Sequence, residues 1–244
     1  MHFSLSTFMP QAARLAGIGI VAFALAACTT TRPPEQARTP QVDPSYVSMY
    51  AAINDNGTMV PAVDVSGIDP RFLRQTVDYP TQYRPGTIVV DPYARFLYLV
   101  LENGKAMRYG IGVAKAGLEF VGEADLARKA QWPSWTPTPN MIAREPERYG
   151  PYAGGLPGGM ENPLGARALY LYEGGRDTLY RIHGTNEPWS IGHAVSSGCV
   201  RLFNHDIIDL HSRVQPGSKI VVLGPDGRDS GMTGTQIAGI GETP

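Results

Sequence analysis

A mainly β fold with one prominent helix is what the 244-residue sequence predicts. Three observations predict it. Glycine (28) and proline (21) are both abundant, which favours frequent turns over long helices. Two pairs of β-branched and aromatic runs are joined by short Gly-containing connectors, the pattern of β-hairpins. Only the segment after Cys199 combines helical spacing with start and stop signals.

The elements follow in order. The core begins near Pro85-Gly86, and Thr87-Ile88-Val89-Val90 is a strand turned by Asp91-Pro92. Phe96 to Leu101 and Met107 to Val113 flank Glu102-Asn103-Gly104-Lys105, and Asn-Gly between two such runs is the strongest short hairpin signal. A second hairpin pairs Ala166–Tyr172 with Leu179–His183 across Glu173-Gly174-Gly175-Arg176-Asp177. Between the hairpins lies an irregular stretch, 131–164, with Trp132, Trp135, seven prolines and the Gly-rich run 154–159. A loop of that length in a compact domain points to function, as a lid or as one wall of a groove. Asn204 is the expected N-cap of the helix, Asp206 suits its first turn, and Ile207, Leu210, His211 and Val214 line one face. Pro216-Gly217 ends it, and Lys219 to Leu223 is the last strand of a domain spanning 85–224.

The flanks read differently. Arg14 precedes an apolar run from Leu15 to Ala27, too short for a comfortable membrane span, so 1–27 is expected to be a signal peptide. Leu25-Ala26-Ala27-Cys28 resembles the lipobox of bacterial lipoproteins. The resemblance implies lipidation of Cys28, and Thr29 after it resembles the sorting class of the Gram-negative outer membrane. Residues 28–58, rich in Thr, Pro, Gln and Ser, are expected to be a flexible tether, 59–84 an ordered lead-in and 225–244 a disordered tail. Net charge is −1 and pI about 6.5, which gives no footprint for nucleic acid or an anionic membrane surface.

The chain has two cysteines, and lipidation of Cys28 leaves Cys199 as an unpaired thiol in an oxidising compartment, where such thiols are uncommon. Its surroundings are Arg181-Ile182-His183-Gly184-Thr185-Asn186 and Ser196-Ser197-Gly198-Cys199-Val200-Arg201-Leu202. A thiol attacks carbonyls as the thiolate, and an imidazole within about 2.6–3.2 Å can take its proton. Gly198 permits a tight backbone and close approach of substrate. Amides near Cys199 are candidate donors to a developing oxyanion.

His-Gly-Thr, a short spacer and Ser-x-Gly-Cys-Val-Arg resemble the signature of the L,D-transpeptidase catalytic domain (YkuD-like) family. The resemblance extends over roughly 85–223 and includes Asn162-Pro163-Leu164-Gly165-Ala166-Arg167 and Trp132-Pro133-Ser134-Trp135-Thr136-Pro137. It implies a β-sandwich-like domain with the cysteine at the mouth of a groove. It also implies peptidoglycan stem peptides as substrates and no cofactor. The thiolate attacks the bond between a diamino acid and terminal D-Ala of a tetrapeptide stem, and an amine resolves the thioester. That amine comes from another stem or from an outer-membrane protein. On this resemblance Cys199 is the nucleophile and His183 the proton acceptor and donor. Gly184 orients the imidazole, and Gly198 with the Cys199 amide shapes the oxyanion hole. Arg201 either holds a substrate carboxylate or serves as an ion-pair partner. Many family members carry His where this chain has Ser197, so the base falls on His183.

Other classes compete. His183, His193, Cys199 and His205 are zinc-type ligands, but their spacing matches no standard site, so no metal is expected. The run 154–159 lacks a P-loop lysine. A same-site hydrolase uses the same residues with water as acceptor. A non-catalytic peptidoglycan-binding lipoprotein has no need of paired Cys and His. The expected location is the periplasmic face of a membrane, held by lipid.

Overall fold

The computed structural model describes residues 42–115 and 120–227. The expected signal peptide, Cys28 with its expected lipidation, the first part of the tether and the tail beyond 227 lie outside the described residues.

The described chain is folded from its start, well before Thr58, where the tether is expected to end. Helix α1 (Pro44–Met49) is capped by the Asp43 carboxylate, which accepts from the Ser45 N–H. The following Tyr50 is fully buried, and its hydroxyl donates to Asp206. Strands β1 (Ile53–Asp55) and β2 (Thr58–Val60) form a small hairpin. Asp55 at its end takes both Nη atoms of the buried Arg167, at 2.6 and 2.7 Å. A polar-looking stretch is thus held by two buried anchors that composition does not reveal, a tyrosine and a bidentate ion pair.

The main sheet has nine strands. In chain order they are β3 (Gln75–Asp78), β4 (Ile88–Asp91), β5 (Phe96–Val100), β6 (Lys105–Gly110), β8 (Gly122–Gln131), β9 (Arg167–Glu173), β10 (Arg176–His183), β12 (Val200–Arg201) and β13 (Lys219–Val222). Short strands β7 (Val113–Ala114) and β11 (Ala194–Ser196) pair separately. The spatial order is β12-β10-β9-β8-β13-β4-β5-β6-β3. Both expected hairpins form. Asn103 and Gly104 both have positive φ, as a two-residue turn between right-twisted strands requires. The second turn is tighter than expected, only Gly174-Gly175, because Arg176 and Asp177 already pair with β9.

The longest strand, β8, is absent from the sequence reading. Gly-Glu-Ala-Asp-Leu-Ala-Arg-Lys-Ala-Gln is made mostly of helix formers, yet it lies between β9 and β13 and is bonded on both sides. Tertiary pairing overrides propensity there.

The fold is mainly β. One buried cluster draws Ile88, Leu97 and Tyr109 from one part of the sheet and Leu126, Leu169 and Ile182 from the other. Ile207 and Leu210 of the prominent helix, α4 below, cover the same cluster. A second cluster of Tyr50, Val65, Leu73, Ile191 and Phe203 binds the lead-in to the domain. The 131–164 stretch carries two short helices, α2 (Pro139–Arg144) and α3 (Pro146–Tyr149). Helix α4 (Asn204–Arg213) follows the cysteine. Its N-cap is Phe203, with no side-chain cap bond, so Asn204 is the first helical residue rather than the cap. Its amide is committed elsewhere, as the site shows. Among the described residues no helix is long and apolar enough to cross a membrane.

Candidate active site

Two strand ends build the chemical side of the site. Strand β10 ends at His183, and the parallel register with β12 pairs Ile182 with Val200 and His183 with Arg201. Cys199 therefore stands beside Arg181, just ahead of β12. The Leu202 N–H donates to the His183 carbonyl at 2.8 Å, and Arg201 and Gly112 exchange backbone bonds at 2.8 and 2.9 Å. His183 and Cys199 both hang on a hydrogen-bonded ladder.

His183 is 4% exposed, and its Nδ1 lies 2.5 Å from the Gly184 carbonyl. A carbonyl only accepts, so Nδ1 carries the proton and Nε2 is the ring's free acceptor. Burial pushes the imidazole pKa down to about 3, with the Arg201 charge adding to that and the Gly184 bond opposing it. Burial pushes the Cys199 thiol up, while the Arg181 backbone N–H and the Arg181 and Arg201 charges pull it back. The resting pair is consequently neutral thiol and neutral imidazole. The thiol's hydrogen-bond contact is the Leu179 carbonyl at 4.0 Å, not the imidazole. Hydrogen bonds between catalytic groups are often long or unmade in unliganded sites and tighten only when substrate binds.

Gly198 has φ 148°, a conformation that disfavours other residues. Its N–H points to the Ser196 hydroxyl at 3.3 Å, and that hydroxyl donates to the Cys199 carbonyl at 2.6 Å. Ser196, which the sequence reading does not single out, thus ties the turn that carries Cys199. Ser197 shares a 2.6 Å hydrogen bond with the Tyr149 hydroxyl, and its carbonyl accepts from Arg144 at 3.4 Å. Arg201 is buried and bonded to Glu187 at 2.7 Å, so at least one of its arms is committed to an ion pair.

Asn204 braces the strand end. Its Oδ1 accepts from the Ala166 N–H at 2.9 Å and its Nδ2 donates to the Thr185 carbonyl at 3.0 Å. A Cβ at Gly184 would collide with Asn204 Oδ1, so glycine there is what allows the helix to approach the loop carrying His183's partner carbonyl.

The 131–164 stretch is a wall. Trp135, Tyr149, Tyr152 and Leu164 face His183 and Cys199 across a cavity of about 290 Å³. Asn162 stitches this wall, donating to the Pro133 and Pro157 carbonyls at 3.0 and 2.9 Å and accepting from the Leu164 N–H at 2.9 Å. Its place in Asn-Pro-Leu-Gly was a visible signal; the contacts of Tyr149, Arg148 and Glu187 had none. Among the described residues no group of three or more His, Cys, Asp or Glu side chains is arranged to hold a metal ion. His205 is bonded through Nε2 to the Ala51 carbonyl at 2.8 Å.

The family model of the L,D-transpeptidase catalytic domain matches residues 85–222. A protein of Escherichia coli named "Probable L,D-transpeptidase ErfK/SrfK" is 34% identical over 153 residues, which are 62% of this chain and 48% of that protein. Another from the same organism, "Probable L,D-transpeptidase YcfS", is 31% identical over 180 residues, 72% of this chain and 55% of the relative. The chain spans about half the length of these curated relatives. A crystal structure from Brucella melitensis, titled as a probable carnitine operon oxidoreductase, is 52% identical. It covers 66% of this chain and 99% of its own, with a TM-score of 0.44, and the activity in its title is said of that chain alone.

Proposed function

The chain belongs to the L,D-transpeptidase catalytic domain family, and from that premise we propose that it is a peptidoglycan L,D-transpeptidase with Cys199 as nucleophile and His183 as base. The observation that carries the reading is the Nδ1–Gly184 bond. It leaves a neutral Nε2 acceptor in the cavity that also holds the Cys199 thiol.

Because the resting pair is neutral, the proton moves when the scissile carbonyl arrives. Sulfur bonds to the carbonyl carbon of the diamino acid as His183 takes the thiol proton. The bond to D-Ala then breaks, His183 returns the proton to the leaving amine, and a thioester remains. An incoming amine forms the new amide, the C–S bond breaks, and the amine's proton returns through His183 to sulfur. The amine belongs to a second stem, giving a 3→3 cross-link, or to a protein lysine. Water in its place makes the enzyme a hydrolase. The Leu-Ala-Ala-Cys28 pattern supports export and anchoring by lipid at the periplasmic face of the outer membrane.

Intact-mass spectrometry with a purified tetrapeptide stem tests this. The expected species is the protein plus the stem less D-Ala, absent in Cys199→Ala. An unmodified protein and intact stem, in a preparation whose thiol still titrates, overturns the assignment. Appearance of stem dimer rather than tripeptide separates transferase from hydrolase.

A further inference from the structure

Helix α4 begins without a side-chain cap: Phe203 holds the cap position and makes no side-chain cap bond. Its first turn is nevertheless buried from Asn204 to Ile207. What fixes that turn is a segment that the sequence reading gives to the tether, ahead of the 85–222 matched by the family model.

Tyr50 meets the turn at three points. Its ring stands edge-on to Phe203 and tilted to His205, with centroids 5.6 Å away in both cases. Its hydroxyl lies 2.9 Å from both Asp206 oxygens and donates to that carboxylate. The same hydroxyl accepts the Arg74 N–H at 2.8 Å, so it is acceptor and donor at once. Beside it, His205 Nε2 donates to the Ala51 carbonyl at 2.8 Å. Asp206 is fully buried, and the Arg74 guanidinium stays 3.9 Å from it, nearer to Asp209 at 3.2 Å. Buried polar groups whose bonds are made specify one arrangement of the elements they join.

We propose that Tyr50 is a positioning residue for the proton transfer: it sets the first turn of α4, and that turn sets the imidazole of His183. The proposal rests on His183 being the base of the acyl transfer. Few atoms lie between the two. Asn204, two residues before Asp206, bonds the Ala166 N–H and the Thr185 carbonyl at 2.9 and 3.0 Å. Its Oδ1 also packs where a Cβ at Gly184 would stand, and the Gly184 carbonyl holds His183 Nδ1 at 2.5 Å. A shift of the turn therefore moves the carbonyl that selects the tautomer, and with it the free Nε2 acceptor. Small misplacements of a reacting group slow the chemical step. Tyr50 itself does not line the catalytic cavity, so binding of the stem is left alone.

A matched bond on the same helix serves as control. One turn along α4, the Tyr109 hydroxyl from β6 donates to Asp209 at 2.7 Å, and Asp209 keeps Arg74 and Arg213 when that hydroxyl is lost. Tyr50→Phe and Tyr109→Phe each keep a buried ring. With the Tyr50 hydroxyl gone the Asp206 carboxyl, which burial already pushes up to about 7, keeps its proton, so Tyr50→Phe carries no bare buried charge and folds.

The test compares the two variants in the full chain. Steady-state transfer from a tetrapeptide stem, the urea midpoint and the histidine ¹⁵N spectrum at pH 7 are measured, with the His183 signals assigned through His183→Gln. Both variants are expected to lower the urea midpoint. Tyr50→Phe alone is expected to lower kcat, by roughly fivefold with an unchanged KM for the stem, as the loss of one net hydrogen bond allows. It is also expected to admit the Nε2–H tautomer of His183, which the wild type lacks. An unmoved kcat in Tyr50→Phe overturns the proposal, as does an equal loss in Tyr109→Phe, which makes the effect one of stability. A lowered kcat with the Nδ1–H tautomer intact overturns it too, since the turn then acts on something other than the imidazole. The base reading fails separately. A fully active His183→Gln removes the base and the positioning role together, whereas an inactive His183→Gln beside an unaffected Tyr50→Phe removes the positioning role alone.

Discussion

The two sides of the catalytic cavity are built by different means. On the strand side, His183 and Cys199 hang on the β10–β12 ladder, with Asn204 joining Thr185 to Ala166 behind them. On the loop side, a wall from 132 to 164 is held mainly by the side chain of Asn162 and by aromatic edges such as Trp135 on Tyr149 at 6.2 Å, with a single backbone bridge between Trp135 and Leu156. Backbone ladders fix position to fractions of an ångström and tolerate little change. Side-chain stitching can be rewired by a few substitutions. On the proposed reading, chemistry belongs to the strands and substrate fit to the loop.

The largest effect expected lies on the strand side. His183→Gln should cut acyl transfer about 10²–10⁴-fold, the usual worth of a positioned base. The pH behaviour sharpens this. With the imidazole pKa pushed down to about 3 and the thiol pushed up, no ion pair forms at neutral pH. Alkylation of Cys199 by iodoacetamide should therefore climb steadily toward alkaline pH with no plateau from pH 5 upward, in the wild type and in His183→Gln alike. A wild-type plateau that vanishes in the variant means a preformed thiolate–imidazolium pair, and the concerted proton transfer is then wrong.

Next in size is a paired comparison. Asn204→Ala orphans the Ala166 N–H and the Thr185 carbonyl, two buried groups worth about 1–3 kcal/mol each. Asn162→Ala releases the Pro133 and Pro157 carbonyls and the Leu164 N–H at a comparable cost in urea unfolding. Kinetics should separate them: Asn204→Ala lowering kcat through the His183–Gly184 geometry, Asn162→Ala raising the donor's KM through the wall. If both variants change the same parameter, the two sides are not divided as argued.

How far the sequence was readable follows the same division. Both hairpins, the helix after the cysteine and the motif that brings Cys199 and His183 to one cavity were legible because each depends on local signals: an Asn-Gly turn, an apolar face, a motif. Strand β8 was not, because helix formers become a strand only when β9 and β13 bond to both edges. The attachment of the tether's last residues was hidden for a similar reason, since Tyr50 meets Asp206 across 156 residues. Asn204 read as a cap because Asn before an apolar helix usually is one, whereas the buried carbonyl and N–H it serves belong to distant loops. The wall of the cavity was visible only as an unusually long loop, with no local signal for which of its residues face the cysteine.

The smallest effect expected is at a hydroxyl pair that crosses between the two sides. Tyr149 on α3 meets Ser197, two residues before the nucleophile, at 2.6 Å. Tyr149→Phe keeps the ring against Trp135 and removes only that bond, which is worth about 1 kcal/mol. A few-fold loss in kcat/KM should follow, and Ser197→Ala should give the same loss, since each variant breaks the same contact. The double variant should then be no worse than either single one, because coupled partners do not add. Additive losses break the link: Tyr149 and Ser197 would act separately, and the loop would touch the chemistry through something other than this bond. Non-additive losses make it the path by which the position of the wall reaches the nucleophile's turn.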